Sequence, residues 1–252
     1  MRKTATILIV SLASLFLHST RANAFSDDLE LRSRIGYHIG ATAPLNMPAT
    51  VRSVDAYHLT ASFLLGLDVM KPVSEKFGLQ TGLRLENKGM DGEISTKAYR
   101  MEMRTKDSYT AGVYTGQIRQ KVREWMLTLP LQMTYKLSRQ IQLKGGPYAS
   151  LLIDKEFSGI AFNGYLRQDG PTGPKVLMGN KEGEWATYDF SEHMRNLQMG
   201  IAIGADWQVH RRLGVSIDVN WGLTGILKSD FKTVEQTLYP IYGTIGIFYR
   251  LR

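Results

Sequence analysis

From Phe25 onward the apolar residues of this chain recur at every second position, and no stretch carries a convincing helical period. In the stretch 125–137 the odd positions are Trp125, Leu127, Leu129, Leu131, Met133, Tyr135 and Leu137. The even positions are Met126, Thr128, Pro130, Gln132, Thr134 and Lys136. Stretch 197–209 repeats the pattern, as do the segments 33–41, 57–70, 77–89, 141–153, 213–223 and 239–251. Within their cores the odd face carries no charge, whereas Arg34, Asp68, Arg84, Glu86, Lys144, Asp206 and Asp218 all fall on the even face. A strand turns successive side chains to opposite faces, so eight strands are predicted, each with one wholly uncharged face.

The connections alternate in length. Residues 71–76, 138–140 and 210–212 are tight turns, while 42–56, 90–118, 154–195 and 224–238 are long and polar. Short turns on one side and long loops on the other describe an antiparallel meander. Eight strands of ~9–11 residues or more satisfy the needs of a transmembrane barrel. The expected fold is therefore all-β: an eight-stranded, antiparallel, up-and-down transmembrane β-barrel with short periplasmic turns and long extracellular loops. The hydrophobic share of 43% and the mean hydropathy of −0.19 resemble those of a soluble protein. Strict alternation explains this, because every second residue is polar.

A soluble, lipocalin-like barrel also alternates, but with its apolar face inward. Three features argue against it. The even face is rich in glycine, including Gly36, Gly66, Gly82, Gly146, Gly204 and Gly246, and an eight-stranded lumen has little room. Odd-face aromatics cluster at strand ends: Phe77, Tyr135, Trp207 and Tyr249 on the turn side, and Tyr57, Trp125, Trp221 and Tyr239 on the loop side. These are expected to form two girdles. Ten residues separate Trp125 from Tyr135, which at ~3.3 Å per residue and a tilt of ~40° spans ~25 Å, the height of an apolar band. Finally, so many odd-face aliphatics cannot fit in the lumen. Facing out, they suit lipid and not water.

The first 24 residues read as a secretory signal peptide, with Arg2 and Lys3 before an apolar run and Ala22-Asn23-Ala24 as the cleavage pattern. The barrel domain is then expected over 25–252. Arg2, Lys3 and Arg21 carry three of the eight net positive charges, so the mature balance is modest and does not argue for nucleic acid. The chain has no cysteine, which excludes a disulfide framework, a thiol nucleophile, a cysteine-ligated metal and a lipoprotein anchor.

Phe77–Met90 (FGLQTGLRLENKGM), Glu124–Leu137 (EWMLTLPLQMTYKL) and Gly145–Ile153 (GGPYASLLI) resemble the PorT-like outer-membrane β-barrel family of Bacteroidetes-type bacteria. The resemblance covers nearly the whole mature chain. It implies a porin-like, eight-stranded barrel in a Gram-negative cell envelope, in a group with some members linked to protein secretion and gliding.

No catalytic, cofactor or metal motif is visible. His38 and His58 lie near Ser53 and Ser62, but nothing in the spacing fixes a triad. The even-face charges Asp68, Arg84, Glu86, Asp206 and Asp218 are expected to form a polar network in the lumen, since a buried charge needs a partner. Such a network serves either as a structural plug or as a gate. Arg119, Lys121 and Arg123 stand just above Trp125. They are either lipopolysaccharide contacts or a solvated strand extension. Outer-membrane lipid is an expected partner, and loops 90–118 and 154–195 are candidate surfaces for a protein or glycan. The second of these loops, aromatic-rich, otherwise folds on itself or caps the barrel mouth. The leading expectation is a structural or surface-interaction role without enzymatic activity. A small-solute or ion channel is the alternative, ahead of a lipid-modifying rim enzyme or a secretion component.

Overall fold

The computed structural model describes residues 29–252 apart from 46, 59, 105–108, 169, 232 and 235, and the expected signal peptide lies outside them. The strands are β1 (Glu30–Pro44), β2 (Val51–His58), β3 (Phe63–Pro72), β4 (Phe77–Arg104), β5 (Tyr109–Lys136), β6 (Ile141–Gln168), β7 (Lys175–Met178), β8 (Ala186–Asp189), β9 (Leu197–Gln208), β10 (Leu213–Gly222) and β11 (Leu238–Arg250). Eight of them close a ring in the order β1-β3-β4-β5-β6-β9-β10-β11, antiparallel throughout, and β11 returns to β1 from Arg32↔Arg250 to Pro44↔Leu238. Closure leaves no strand edge unpaired in the membrane, as a bilayer without hydrogen-bonding solvent demands.

Residues of equal parity face each other at every seam of the lower ring, for instance Phe77↔Tyr135, Thr128↔Ser150 and Gly214↔Gln208. This keeps one parity outside all the way round. Every exposed large hydrophobic residue among those described is odd-numbered except Val54, which lies in β2 outside the ring. Even-face glycines make room for charge. A Cβ at Gly66 would stand 2.8 Å from the Arg84 side chain, and one at Gly82 would stand 2.6 Å from the Asp68 carboxylate.

Three of the four long connections are strand over most of their length, whereas the described residues of 224–238 are irregular as far as Leu238. β4, β5 and β6 are each 28 residues long, about 90 Å along the strand at ~3.3 Å per residue. They continue past the girdle as an extracellular sheet that covers most of 90–118 and the first part of 154–195. β7 and β8 add to β6 there, and β2 adds to β4. Bulges hid this continuation from a reading based on period two. One between Thr96 and Tyr99, with Ala98 at φ 57°, turns Tyr99, Met101 and Met103 inward, where even residues had pointed before. Another leaves Ile153 unpaired and turns Phe157 and Ala161 inward.

The predicted strand 57–70 also needs correction. Residues 51–58 form β2, which joins β4 above the membrane, and the barrel strand begins only at Phe63.

Candidate functional site

Within the membrane the barrel is filled by ion pairs. Asp68, fully buried, accepts hydrogen bonds from Arg34 Nε at 2.7 Å, Arg84 Nε at 3.0 Å and Gln80 Nε2 at 3.1 Å. Asp206 accepts from Lys144 Nζ at 2.6 Å, Arg32 Nη1 at 3.1 Å, and both Arg34 terminal nitrogens at 3.2 and 3.1 Å. Asp218 lies 2.9 Å from Lys144 Nζ. Four cations and three carboxylates thus meet in one cluster. At the periplasmic rim Glu30 adds a fourth carboxylate, 2.6 Å from Arg32 and shared with Arg250 at 2.5 Å.

Four of the five expected lumen residues, Asp68, Arg84, Asp206 and Asp218, sit in this cluster. Glu86 does not. It pairs instead with Lys88 Nζ at 2.7 Å, on its own strand one step higher. The Lys88 ammonium also lies over the Tyr148 and Tyr242 rings at 5.7 and 5.8 Å. Glu124 accepts from Gln198 Nε2 at 2.5 Å in the same upper layer. The connectors Arg32, Arg34, Lys88 and Lys144 were absent from the expected set. Their even numbers placed them inside the barrel, but nothing local gave their partners. His38 Nδ1 lies 2.8 Å from Thr244 Oγ1, and Ser62 Oγ accepts from the Gly89 N–H at 3.1 Å. Ser62 does adjoin His38, whose backbone N–H donates to the Ser62 carbonyl at 2.9 Å, but the Ser62 hydroxyl is engaged by Gly89 and Thr60, and the His38 ring by Thr244.

Above this plug the interior changes character. Tyr99, Met101, Met103, Ile118, Phe157 and Leu238 belong to an apolar core that also takes in Met178, Ala186, Tyr188, Phe190, Met194 and Ile226. Tyr188 and Phe190 stack at 5.2 Å, and Phe190 meets Phe231 at 4.9 Å. The segment 154–195 thereby turns several of its aromatics inward and roofs the barrel. Burial raises the Tyr188 phenol well above its ordinary range.

On the outer surface, Phe77 lies 5.1 Å from Tyr135, with Trp207 and Tyr249 exposed at the same end. At the other end Trp125 packs edge-on against Phe63 at 5.2 Å, and Trp221 and Tyr239 stand on β10 and β11. Tyr57 is not in that ring. It rides on β2, and its hydroxyl donates to the Gly40 carbonyl. Phe63 takes the place it was expected to hold, because the barrel strand starts there.

Arg119, Lys121 and Arg123 do face outward on β5, but each has an acid across the ladder. Arg119 meets Glu93 at 2.5 Å, Lys121 meets Glu156 at 2.9 Å and Arg123 meets Asp91 at 3.6 Å. The outward placement above Trp125 is as expected; the acid partners, on β4 and β6 and distant in the chain, were not part of that expectation.

Solved structures with a similar course include Ail, the attachment invasion locus protein of Yersinia pestis, with 11% identity, 88% of this chain and 98% of that chain covered, and a TM-score of 0.39. CarO2 of Acinetobacter baumannii is similar at 11% identity, 88% and 99% coverage and a TM-score of 0.41. Neisserial surface protein A is similar at 6% identity, 89% and 98% coverage and a TM-score of 0.34. No curated protein matches the chain. A family model described as outer membrane protein beta-barrel domain matches residues 21–228, most of the chain. Together with the closed ring, its lipid-facing parity and its buried ion pairs, that match makes this chain a member of the outer membrane protein beta-barrel domain family, seated in the outer membrane.

Proposed function

We propose that this barrel is a non-enzymatic surface protein that presents its extracellular sheet to a partner, with the lumen serving as a structural plug. One observation carries the reading: Asp68, Gln80 and Gln132 at mid-lumen are fully buried, while β4, β5 and β6 run on far beyond the girdle. Exposed recognition features favour the same reading, such as Lys175 over the Tyr165 ring at 4.5 Å and Arg119 over Phe162 at 5.4 Å. Phe162, Tyr165 and Lys175 lie in the segment 154–195, expected to meet a protein or glycan, and Arg119 stands just beyond the other, 90–118. Arg119, Lys121 and Arg123, exchanging their acid partners for lipopolysaccharide phosphates, would bind them by charge-assisted contacts, and their outward exposure supports that reading. The motifs quoted above support a place among PorT-like barrels, and the N-terminal pattern supports cleavage after Ala24.

Planar-bilayer recording tests the plug. The wild-type barrel should show near-zero conductance, and Arg84→Ala should leave it so while lowering stability. A markedly raised conductance in that variant favours a channel. That second reading draws on a polar vestibule of about 380 Å³ at the periplasmic mouth, which reaches Arg32 and Asp206.

A further inference from the structure

The wall of the upper barrel is split between β1 and β2. Below, β1 pairs with β3 as far as Tyr37↔Phe63. Above that level β3 has ended, and β2 takes its place against β4. Among the described residues no ladder joins β2 to β1; above Tyr37, β1 keeps a backbone bond on this side from the His38 N–H to the Ser62 carbonyl at 2.9 Å, and beyond it the ladder runs only to β11. Tyr37 Oη, donating to the Thr60 carbonyl at 3.0 Å, closes the foot of the gap, and the Tyr57 hydroxyl, donating to the Gly40 carbonyl, spans it higher up.

Behind this split lies a cavity of about 180 Å³ with predominantly apolar walls. Its back wall is drawn from Met101, Ile118, Phe157, Phe190 and Leu238, all buried. Its lip is drawn from Met47, Val54 and Tyr57, which are 58%, 56% and 42% exposed. Among the described residues no lining side chain carries a formal charge, and the polar ones are Thr, Tyr and Gln. A dry apolar cavity of ~150 Å³ admits a benzene-sized guest, so this volume suits one ring, or two fused rings held tightly. The exposed lip adds apolar surface that such a guest would remove from water. Beneath the cavity, Glu86, Lys88 and Glu124 occupy the lumen, so a guest has no apolar path inward. It enters and leaves through the split.

We infer that this cavity is a binding site for a small, uncharged ring compound taken up from outside the cell. The inference goes beyond surface presentation and does not depend on whether the lumen conducts.

The test uses the full barrel in lipid nanodiscs and in lipid-free amphipol, with equilibrium dialysis against naphthalene. One saturable equivalent above empty discs is expected. Gly92 supplies a filling variant, because a Cβ there meets only the Ala56 carbonyl at 3.5 Å. Gly92→Leu should weaken binding by about tenfold or more (~1.4 kcal/mol) while keeping the heat-shifted gel mobility of a folded barrel. Val54→Asp, on the exposed lip, should weaken binding too without touching the core. The inference is overturned if no saturable excess appears, or if folded Gly92→Leu and Val54→Asp bind like wild type. It is also overturned if binding appears in amphipol but not in nanodiscs, since an acyl chain of a neighbouring lipid would then be the occupant.

Discussion

Arg34 on β1 reaches across the lumen to Asp206 on β9, and two parallel hydrogen bonds of 3.2 and 3.1 Å join them. These strands are not neighbours, since β11 and β10 lie between them. The pair therefore ties opposite walls, and its guanidinium also holds Asp68 at 2.7 Å. Fork-on-carboxylate geometry of this kind fixes orientation as well as distance. A plug built this way resists both water and collapse, because every carboxylate in the cluster has a cation.

Arg34→Ala should therefore be costly. Breaking a buried pair strands its partner, typically at ~3–5 kcal/mol, and here Asp206 keeps Lys144 and Arg32 while Asp68 keeps Arg84. A loss near the lower end, about 3 kcal/mol, is expected in urea titrations of the refolded barrel in vesicles. An unchanged midpoint would mean that the cluster contributes nothing to stability.

Leu131 tests the lipid face. It lies midway along the membrane part of β5 and is 56% exposed. Leu131→Arg should destabilise the barrel by about 2–4 kcal/mol in a bilayer. The same change on a water-facing strand would be nearly neutral, so a small effect would argue that odd residues do not meet hydrocarbon.

Glu156 governs one cation of the outer row. Partial burial opposes its ionisation, but hydrogen bonds from Lys121 and Ser158 outweigh that and hold its carboxyl below the usual range. The pairing is thus intact above the ordinary carboxylate range and is lost as pH falls through the lowered value. Glu156→Gln should free Lys121 at neutral pH and raise the lipopolysaccharide retained on purification, whereas wild type should gain retention only in acid. Equal retention by both proteins at pH 7 would detach this row from lipopolysaccharide.

The N-terminus makes a direct prediction. Edman sequencing of the exported protein should begin at Phe25, the residue after Ala22-Asn23-Ala24. A start at Met1 in outer-membrane fractions would remove the signal-peptide reading.

Much of the barrel was legible in the order of residues. Leu131 had to face away from Gln132, and Asp68 away from Leu67, because strand geometry turns neighbours to opposite faces. One uncharged parity then required lipid, and lipid required a closed ring. The extracellular part was less legible. Ala98 and Ile153 break the alternation with single bulges, so Met101 and Phe157 read as loop residues although they line a folded core. Tyr57 was misplaced because alternation reports which way a side chain points and not which strand its own strand pairs with.

The sequence by itself determined the number of barrel strands, the lipid face, and which charges lie inside, since all three follow from local geometry and the bilayer's intolerance of bare polar groups. Only the tertiary structure decided that Arg34 meets Asp206, that Arg123 faces Asp91, and that β1 and β2 part to leave a cavity. Those outcomes depend on contacts between residues distant in the chain, and the register of a closed sheet sets such contacts only once every strand is in place.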